Sequence, residues 1–379
     1  MNSKERVRRA LAHEPVDRVP IGFFAIDFDT VERILGHETY VRAKAKSQIA
    51  FWEGRRDEVV QSWKEDIVEL YRKLDFIDIV NLGAMASSVA PPADHEPERV
   101  RRVDATTWEA DDGRVWKYSE ITADLTLVAQ PEPRFTVDDF PLDTEPAPPD
   151  PSVFEATDAI IEALGSDRYI LGPSGGEAGM LLLGGMEHGL LMYAMQPDVV
   201  SQAIAAATRT ANLQDAYRIR PGTDGVLWGT DFAATTGPFI SPRMFRKLCL
   251  PSIKERVRAV KAHGLNVLKH ACGNNWKLLD MFLEARYDAY QSIQTSAGMD
   301  LASVKKKVYP RMALWGGASV ELLVSGSPDE VREDVRAAMQ AGAPGSGYIF
   351  GTTHSVAVGT KYENFQAMLD TYIELAERP

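Results

Sequence analysis

Lys269-His270-Ala271-Cys272-Gly273 follows directly on the apolar pair Val267-Leu268. His270 and Cys272 are two residues apart, and on a β-strand that spacing turns both side chains to one face. An imidazole and a thiolate on one face make half of a zinc site. His354, shortly after a second apolar run at 347–350, is the natural third ligand. Three protein ligands leave a fourth position for water or substrate, the pattern of a metal that does chemistry. Beside a cation, Cys272 would ligate as thiolate. A core cysteine next to a hydrogen-bonded histidine would read the same way, and the placement of the pair at a strand end brings the metal reading level with it.

Other polar residues stand at comparable places. Asp231 closes the apolar stretch 226–230 and would orient a ligating histidine, hold a substrate cation or ligate metal itself. It could equally cap the following turn. Glu177, in Gly175-Gly176-Glu177-Ala178-Gly179, is expected to open a helix, where it either complements the helix dipole or serves the reaction. Gln294 would hydrogen-bond substrate or simply end its strand. Trp228, Phe23 and Phe24 would line an apolar pocket or belong to the core. Cys249, between Leu248 and Leu250, reads as core packing.

These residues need elements to hold them. Short β-like runs at 19–24, 76–82, 169–175, 225–231, 266–272, 289–294, 312–317 and 347–353 alternate with helical patterns. Several are continuously apolar, as parallel strands buried on both faces should be. Ser241-Pro242 starts a helix running towards Gly264. Ser327-Pro328-Asp329-Glu330 is a capping box opening a helix over 331–341, and 361–377 is a final amphipathic helix. Eight alternations fit an α/β fold, a (β/α)8 TIM barrel, occupying 1–379 as one domain. A doubly wound open sheet is the alternative, but no Gly-x-Gly-x-x-Gly marks a first strand-helix turn. Between the second and third strands, 84–150 breaks the rhythm. Asp112-Gly113, flanked by Thr107-Trp108 and Val115-Trp116, signals a hairpin, and 121–128 adds a strand. The seven prolines of 131–151 make an extended connector. This is a β-rich insertion. Barrel active sites lie at the C-terminal strand ends, and Glu177, Asp231, His270, Cys272, Gln294 and His354 each fall near one.

Composition narrows the class. The 379 residues carry a net charge of −12 and no basic run, which argues against nucleic acid as a partner. Two cysteines make no disulfide framework and point to a reducing compartment. The start, Met1-Asn2-Ser3-Lys4-Glu5-Arg6, leads into no apolar signal core, and no stretch is long enough to span a bilayer. The expectation is a cytoplasmic protein.

Several segments together resemble the uroporphyrinogen decarboxylase-like superfamily, which includes corrinoid- and coenzyme M-type methyltransferases. They are Ser3-Lys4-Glu5-Arg6-Val7 through Leu11 to Pro15-Val16-Asp17-Arg18-Val19-Pro20, then Asp231 with Gly237-Pro238-Phe239-Ile240-Ser241-Pro242 and Phe245-Arg246. His270-Ala271-Cys272-Gly273 resembles the His-x-Cys-Gly of the methyltransferase branch, and Trp315-Gly316-Gly317 with 347–364 resembles the C-terminal pattern. The resemblance spans nearly the whole chain and implies a (β/α)8 barrel. Uroporphyrinogen decarboxylases carry Met-Arg-Gln-Ala-Gly-Arg after the first strand, with arginines for the porphyrinogen carboxylates. Here that place reads Gly22-Phe23-Phe24-Ala25-Ile26-Asp27, which argues against porphyrinogen decarboxylation. In the methyltransferase branch, His-x-Cys and a later cysteine bind zinc. No cysteine follows Cys272, and His354 takes roughly that place. A His-Cys-His set is less electron-rich, and suits polarisation of a methoxyl oxygen at least as well as thiol activation. No Asp-x-His-x-x-Gly corrinoid motif occurs, so cobalamin would arrive on a separate protein or free.

The sequence thus leads to a zinc-dependent methyltransferase acting on a small methylated compound, methoxylated ones included, with a corrinoid or thiol acceptor. His270, Cys272 and His354 bind the metal, Asp231 and Glu177 are catalytic, and Gln294, Trp228 and Phe23 meet substrate. The resemblance also allows a homodimer. A metal-independent lyase acting on another carboxylate, with Asp231 and His354 at work, is the alternative. A non-catalytic ligand-binding barrel is the third reading.

Overall fold

The computed structural model describes residues 1–83 and 87–376. The first residues of the expected insertion, 84–86, and the last of the expected final helix, Glu377, lie outside the described residues. Strand β1 is Ile79–Asn81. The chain then builds an antiparallel sheet from β2 (Val100–Arg102), β3 (Thr107–Ala110), β4 (Val115–Ser119) and β5 (Asp124–Ala129), in that order. It returns with β6 (Tyr169–Leu171) and β7 (Gly225–Trp228), and makes a small ribbon of β8 (Ala233–Ala234) and β9 (Gly237–Pro238). Strands β10 (Asn266–His270), β11 (Ala289–Ser292), β12 (Ala313–Ala318) and β13 (Tyr348–Thr352) follow. The main sheet runs β1-β6-β7-β10-β11-β12-β13, every neighbour parallel.

A short bridge takes the place of an eighth strand. Ile21 pairs in parallel with Phe350. The Phe350 N–H donates to the Pro20 carbonyl at 2.8 Å, and the Gly22 N–H to the Phe350 carbonyl at 3.0 Å. On the other side the Asp78 N–H donates to the Ile21 carbonyl at 2.9 Å. Residues 20–22 therefore join β13 to the entrance of β1, and the sheet is an α/β barrel. The full strand expected over 19–24 shrinks to this bridge because Pro20 has no N–H for a ladder.

The pleat sorts side chains by turns. Ile79, Leu171, Leu227, Leu268, Ala289, Ala313, Trp315 and Ile349 form one buried cluster inside the barrel. Their neighbours Val80, Ile170, Val226, Val267, Tyr290, Leu314 and Phe350 join a larger cluster shared with the helices. Burial on both faces is why these strands read as continuous apolar runs. The helix Ser3–Leu11 adds Val7, Ala10 and Leu11 to the inner cluster and plugs the N-terminal end.

The capping signals have the expected local effect. Ser241 Oγ accepts from the Met244 N–H, and the capping box of Ser327 and Glu330 opens the helix Pro328–Gly342. The single helix expected from Ser241 to Gly264 is two, Pro242–Leu248 and Leu250–Ala262. Pro251 explains the break: inside one helix it would remove a backbone donor and clash with the preceding turn, but it is tolerated in the first turn of a new one. The last helix is Tyr362–Ala376. No helix among the described residues is long and apolar enough to cross a membrane.

Candidate metal centre at the barrel mouth

Leu268 faces the barrel interior, and the period of two carries His270 and Cys272 to the same side. Cys272 lies two residues past the end of β10, and His354 two past the end of β13. Gly273 then turns away with φ +78°, and a Cβ there would stand 2.3 Å from the Ala233 carbonyl oxygen, so glycine alone fits.

Cys272 Sγ lies 3.4 Å from His270 Nε2. One ligand atom from each of His270, Cys272 and His354 falls within 4.8 Å of the others, the single such group among the described residues. Tetrahedral zinc, with bonds of about 2.0–2.3 Å, needs ligand atoms roughly 3.5 Å apart. The sulfur–nitrogen pair meets that, and the donor set of two imidazoles and a thiol suits zinc. The ring is also oriented. His270 Nδ1 faces Gln291 Oε1, and the Gln291 amide nitrogen donates to the Thr352 carbonyl at 3.1 Å. That second bond fixes which end of the amide meets the histidine, so Nδ1 carries the proton and the Nε2 lone pair faces Cys272. Gln291 sits opposite His270 in the β10/β11 register and is fully buried.

Further contacts hold the set. Asp231 Oδ1 accepts the Cys272 N–H at 2.7 Å and stands 3.8 Å from His270 Nε2, with 41% of the side chain exposed. Gln294 Oε1 accepts the Gly273 N–H at 2.9 Å. Ser292 Oγ donates to the Thr353 carbonyl at 2.7 Å, close to Cys272 Sγ. The Phe24 ring lies 4.1 Å from that of His270 and 5.7 Å from that of His354, centroid to centroid. Burial pushes the His270 pKa down to about 3 and lowers that of His354. Burial, with the Asp231 charge adding, pushes the Cys272 thiol up to about 12. The imidazoles are thus held in their neutral, ligating form, while the thiol needs a nearby cation to ionise.

The structure places the other expected residues unevenly. Asp231 and Gln294 lie against the ligand turn, as described. Glu177 opens no helix: it lies in a loop with Gly176 at φ +103° and Ala178 at φ +50°, and the next helix begins at Met186. Its Oε2 pairs with the buried Lys269 Nζ at 2.6 Å, and its Oε1 accepts from the Tyr287 hydroxyl at 2.6 Å. Lys269 points outward, opposite to His270, and also donates to the Thr230 carbonyl at 2.6 Å. Both Glu177 oxygens are thereby occupied. Trp228 is buried, donates from Nε1 to Ser174 Oγ at 3.1 Å, and lines a cleft of about 500 Å³. Phe23, expected at substrate, lies in the core against Phe365. It is Phe24 that faces the mouth, and counting by two from Gly22 would have found it. Gln291 also escaped sequence reasoning. Its inward parity follows from Ala289, but its register against His270 does not.

The model of the family described as uroporphyrinogen decarboxylase (URO-D) matches residues 126–375, more than half of the chain. Among solved structures, a methyltransferase from Methanosarcina mazei has a TM-score of 0.70 at 18% identity, with 99% of each chain covered. A protein described as a vitamin-B12-independent methionine synthase from Listeria monocytogenes has a TM-score of 0.47 at 11% identity, covering 95% of this chain and 98% of its own. No curated protein matches. The first likeness agrees with the barrel described above.

Proposed function

The chain belongs to the uroporphyrinogen decarboxylase (URO-D) family, and from that premise we propose that it is a zinc-dependent methyltransferase. It would move a methyl group between a small methylated compound, methoxylated ones included, and a corrinoid or thiol acceptor. The observation that carries this reading is the approach of His270, Cys272 and His354 within 4.8 Å at the C-terminal mouth. Zinc held there supplies Lewis acidity to the heteroatom that gives or takes the methyl group. The chain's own residues do the rest. Gln291 keeps the His270 lone pair directed at the site. Asp231 secures the Cys272 backbone and presents an exposed carboxylate to a substrate proton. Phe24 covers the two imidazoles and keeps water from that side. Glu177 serves indirectly, by neutralising Lys269 behind β10. Trp228 and Gln294 bound the space left for substrate. The chain has no corrinoid motif, so cobalamin is a partner brought on another protein or free. Both cysteines are free thiols, which supports a cytoplasmic setting.

The family description supports a second reading, a carboxy-lyase that needs no metal. Against a porphyrinogen substrate, residues 22–27 contain no arginine, and Asp27 there is paired with Arg42 at 2.9 Å. Metal content separates the two. About one zinc per chain in the purified protein, lost in Cys272→Ala and in His354→Ala, is the expected result. No metal in the wild type, and none taken up from added zinc, overturns the methyltransferase and brings the lyase forward.

A further inference from the structure

The cleft beside the mouth says more about the substrate. It holds about 500 Å³, a normal size for a small-molecule site, and Phe24 is its shared wall with the ligand set. Leu82, Leu227 and Trp228 give it an apolar side, and Ser88, Ser174 and Thr230 give it a polar one. Among the described residues one cation lines it, Arg218, at the end of the helix Pro197–Arg218. Nearby arginines are committed: Arg220 grips Asp158 through two bonds of 2.7 Å, and Arg256 is paired with Asp215 at 2.7 Å. Arg218 is half-buried and makes no hydrogen bond or ion pair among the described residues. The acid on the lining, Glu177, is already matched by Lys269. A half-buried guanidinium in a cleft of mixed polar and apolar lining, with no partner among the described residues, is suited to an oxyanion.

We infer that Arg218 is a substrate-binding residue, and that the substrate is a ring-sized molecule carrying an oxyanion at the end opposite its methyl group. This rests on the mouth being the reaction site, and names the class of compound that site accepts. The oxyanion is a carboxylate or a phosphate ester, since a free guanidinium recognises both.

The test is binding without turnover, on the full chain. Titration calorimetry would compare 4-methoxybenzoate, its neutral amide 4-methoxybenzamide, and 4-methoxyphenyl phosphate, with wild type, Arg218→Gln and Arg218→Lys. The expected result is an anion bound about 10- to 100-fold more tightly than the amide by the wild type, the scale of a charged hydrogen bond. Arg218→Gln should abolish that preference, and an unfolding transition in denaturant like that of the wild type shows that the variant folded. Arg218→Lys should keep part of it, and serves if the glutamine variant does not fold. Whether benzoate or phosphate binds more tightly identifies the oxyanion. No preference in the wild type, a preference that survives Arg218→Gln, or no binding of any probe at millimolar concentration overturns the inference. Failure of the metal test leaves these binding ratios untouched, so the two readings fall separately.

Discussion

At the N-terminal end of the barrel, Asp78, Asp224 and Asp288 each stand one residue before a strand, at β1, β7 and β11. Each accepts the backbone N–H of the neighbouring stave, from Ile21, Ile170 and Val267 at 3.0, 2.9 and 2.7 Å. Each is also paired with a cation: Asp78 with Arg6 and Arg18, Asp224 with Lys4 and Arg8, Asp288 with Lys261. At the C-terminal end, Asp231 accepts one N–H, its Oδ2 has no hydrogen bond among the described residues, and the side chain is 41% exposed. The same side chain therefore closes one end of the barrel and leaves the other open. Where every lone pair is matched, the carboxylate fixes strands. Where one is left over beside two neutral imidazoles and a thiol, it is available to a ligand. This is the division of labour that barrels of this kind show in general, stability below and chemistry above.

Substitutions at the two ends should therefore fail in different ways. Asp78→Ala should have the largest effect. It leaves Arg6 and Arg18 without their buried partner and the Ile21 N–H without an acceptor at the stave that closes the barrel. A loss of about 3–5 kcal/mol is expected in denaturant unfolding, with the metal content of the folded fraction unchanged. A loss below about 1 kcal/mol would break the contrast.

Cys272→Ala should do the reverse. Metal should be lost, while the unfolding free energy of the metal-free protein changes by about 1 kcal/mol or less, since the half-buried thiol fills little core. Metal analysis and denaturant unfolding on the same sample check both halves. A variant that unfolds like Asp78→Ala would mean the mouth is as structural as the base.

Gln291→Leu sharpens the comparison further, because it keeps all three ligands and removes only what orients one of them. Zinc affinity should fall about 10- to 100-fold in competition with a chromophoric chelator. Equal affinity would mean that the hydrogen bond from Nδ1 does not set the ring.

The two ends also differ in how far they can be read from the sequence. The grouping of His270 with Cys272 was legible because the period of two is local: the two share a face wherever β10 goes, and both lie near a strand end. The barrel was legible because burial on both faces leaves continuous apolar runs. What failed was set by single residues or by distant partners. Pro20 cut one strand to a bridge, Pro251 split one helix, and of the adjacent Phe23 and Phe24 only the second faces the mouth. The pairing of Glu177 with Lys269, 92 residues away, depends on a fold that lays a loop against β10. The aspartates of the base carry a local signal, one residue before a strand, but their meaning lies in donors 54, 57 and 21 residues away.

The smallest effect belongs to Asp17, at the rim of the base. Its hydrogen bonds from Arg6, at 2.7 and 2.8 Å, hold its carboxyl well below the ordinary value near 3.8, with burial opposing and the Arg6 charge and the Arg18 N–H adding to the shift. A carboxyl lowered in the folded state stabilises fully above its unfolded pKa, and that contribution is lost as pH falls towards the folded one. Asp17 is 41% exposed, so screening by water limits the effect to below about 1 kcal/mol. The difference in unfolding free energy between wild type and Asp17→Asn should be measurable near pH 6 and narrower near pH 3. Because Asp17 shares Arg6 with Asp78, its removal at neutral pH should also soften the closed end slightly and leave zinc binding at the mouth unaltered. A difference that stays constant with pH would mean that Arg6 is held by Asp78 alone, and that the ionic network of the base is smaller than its geometry suggests.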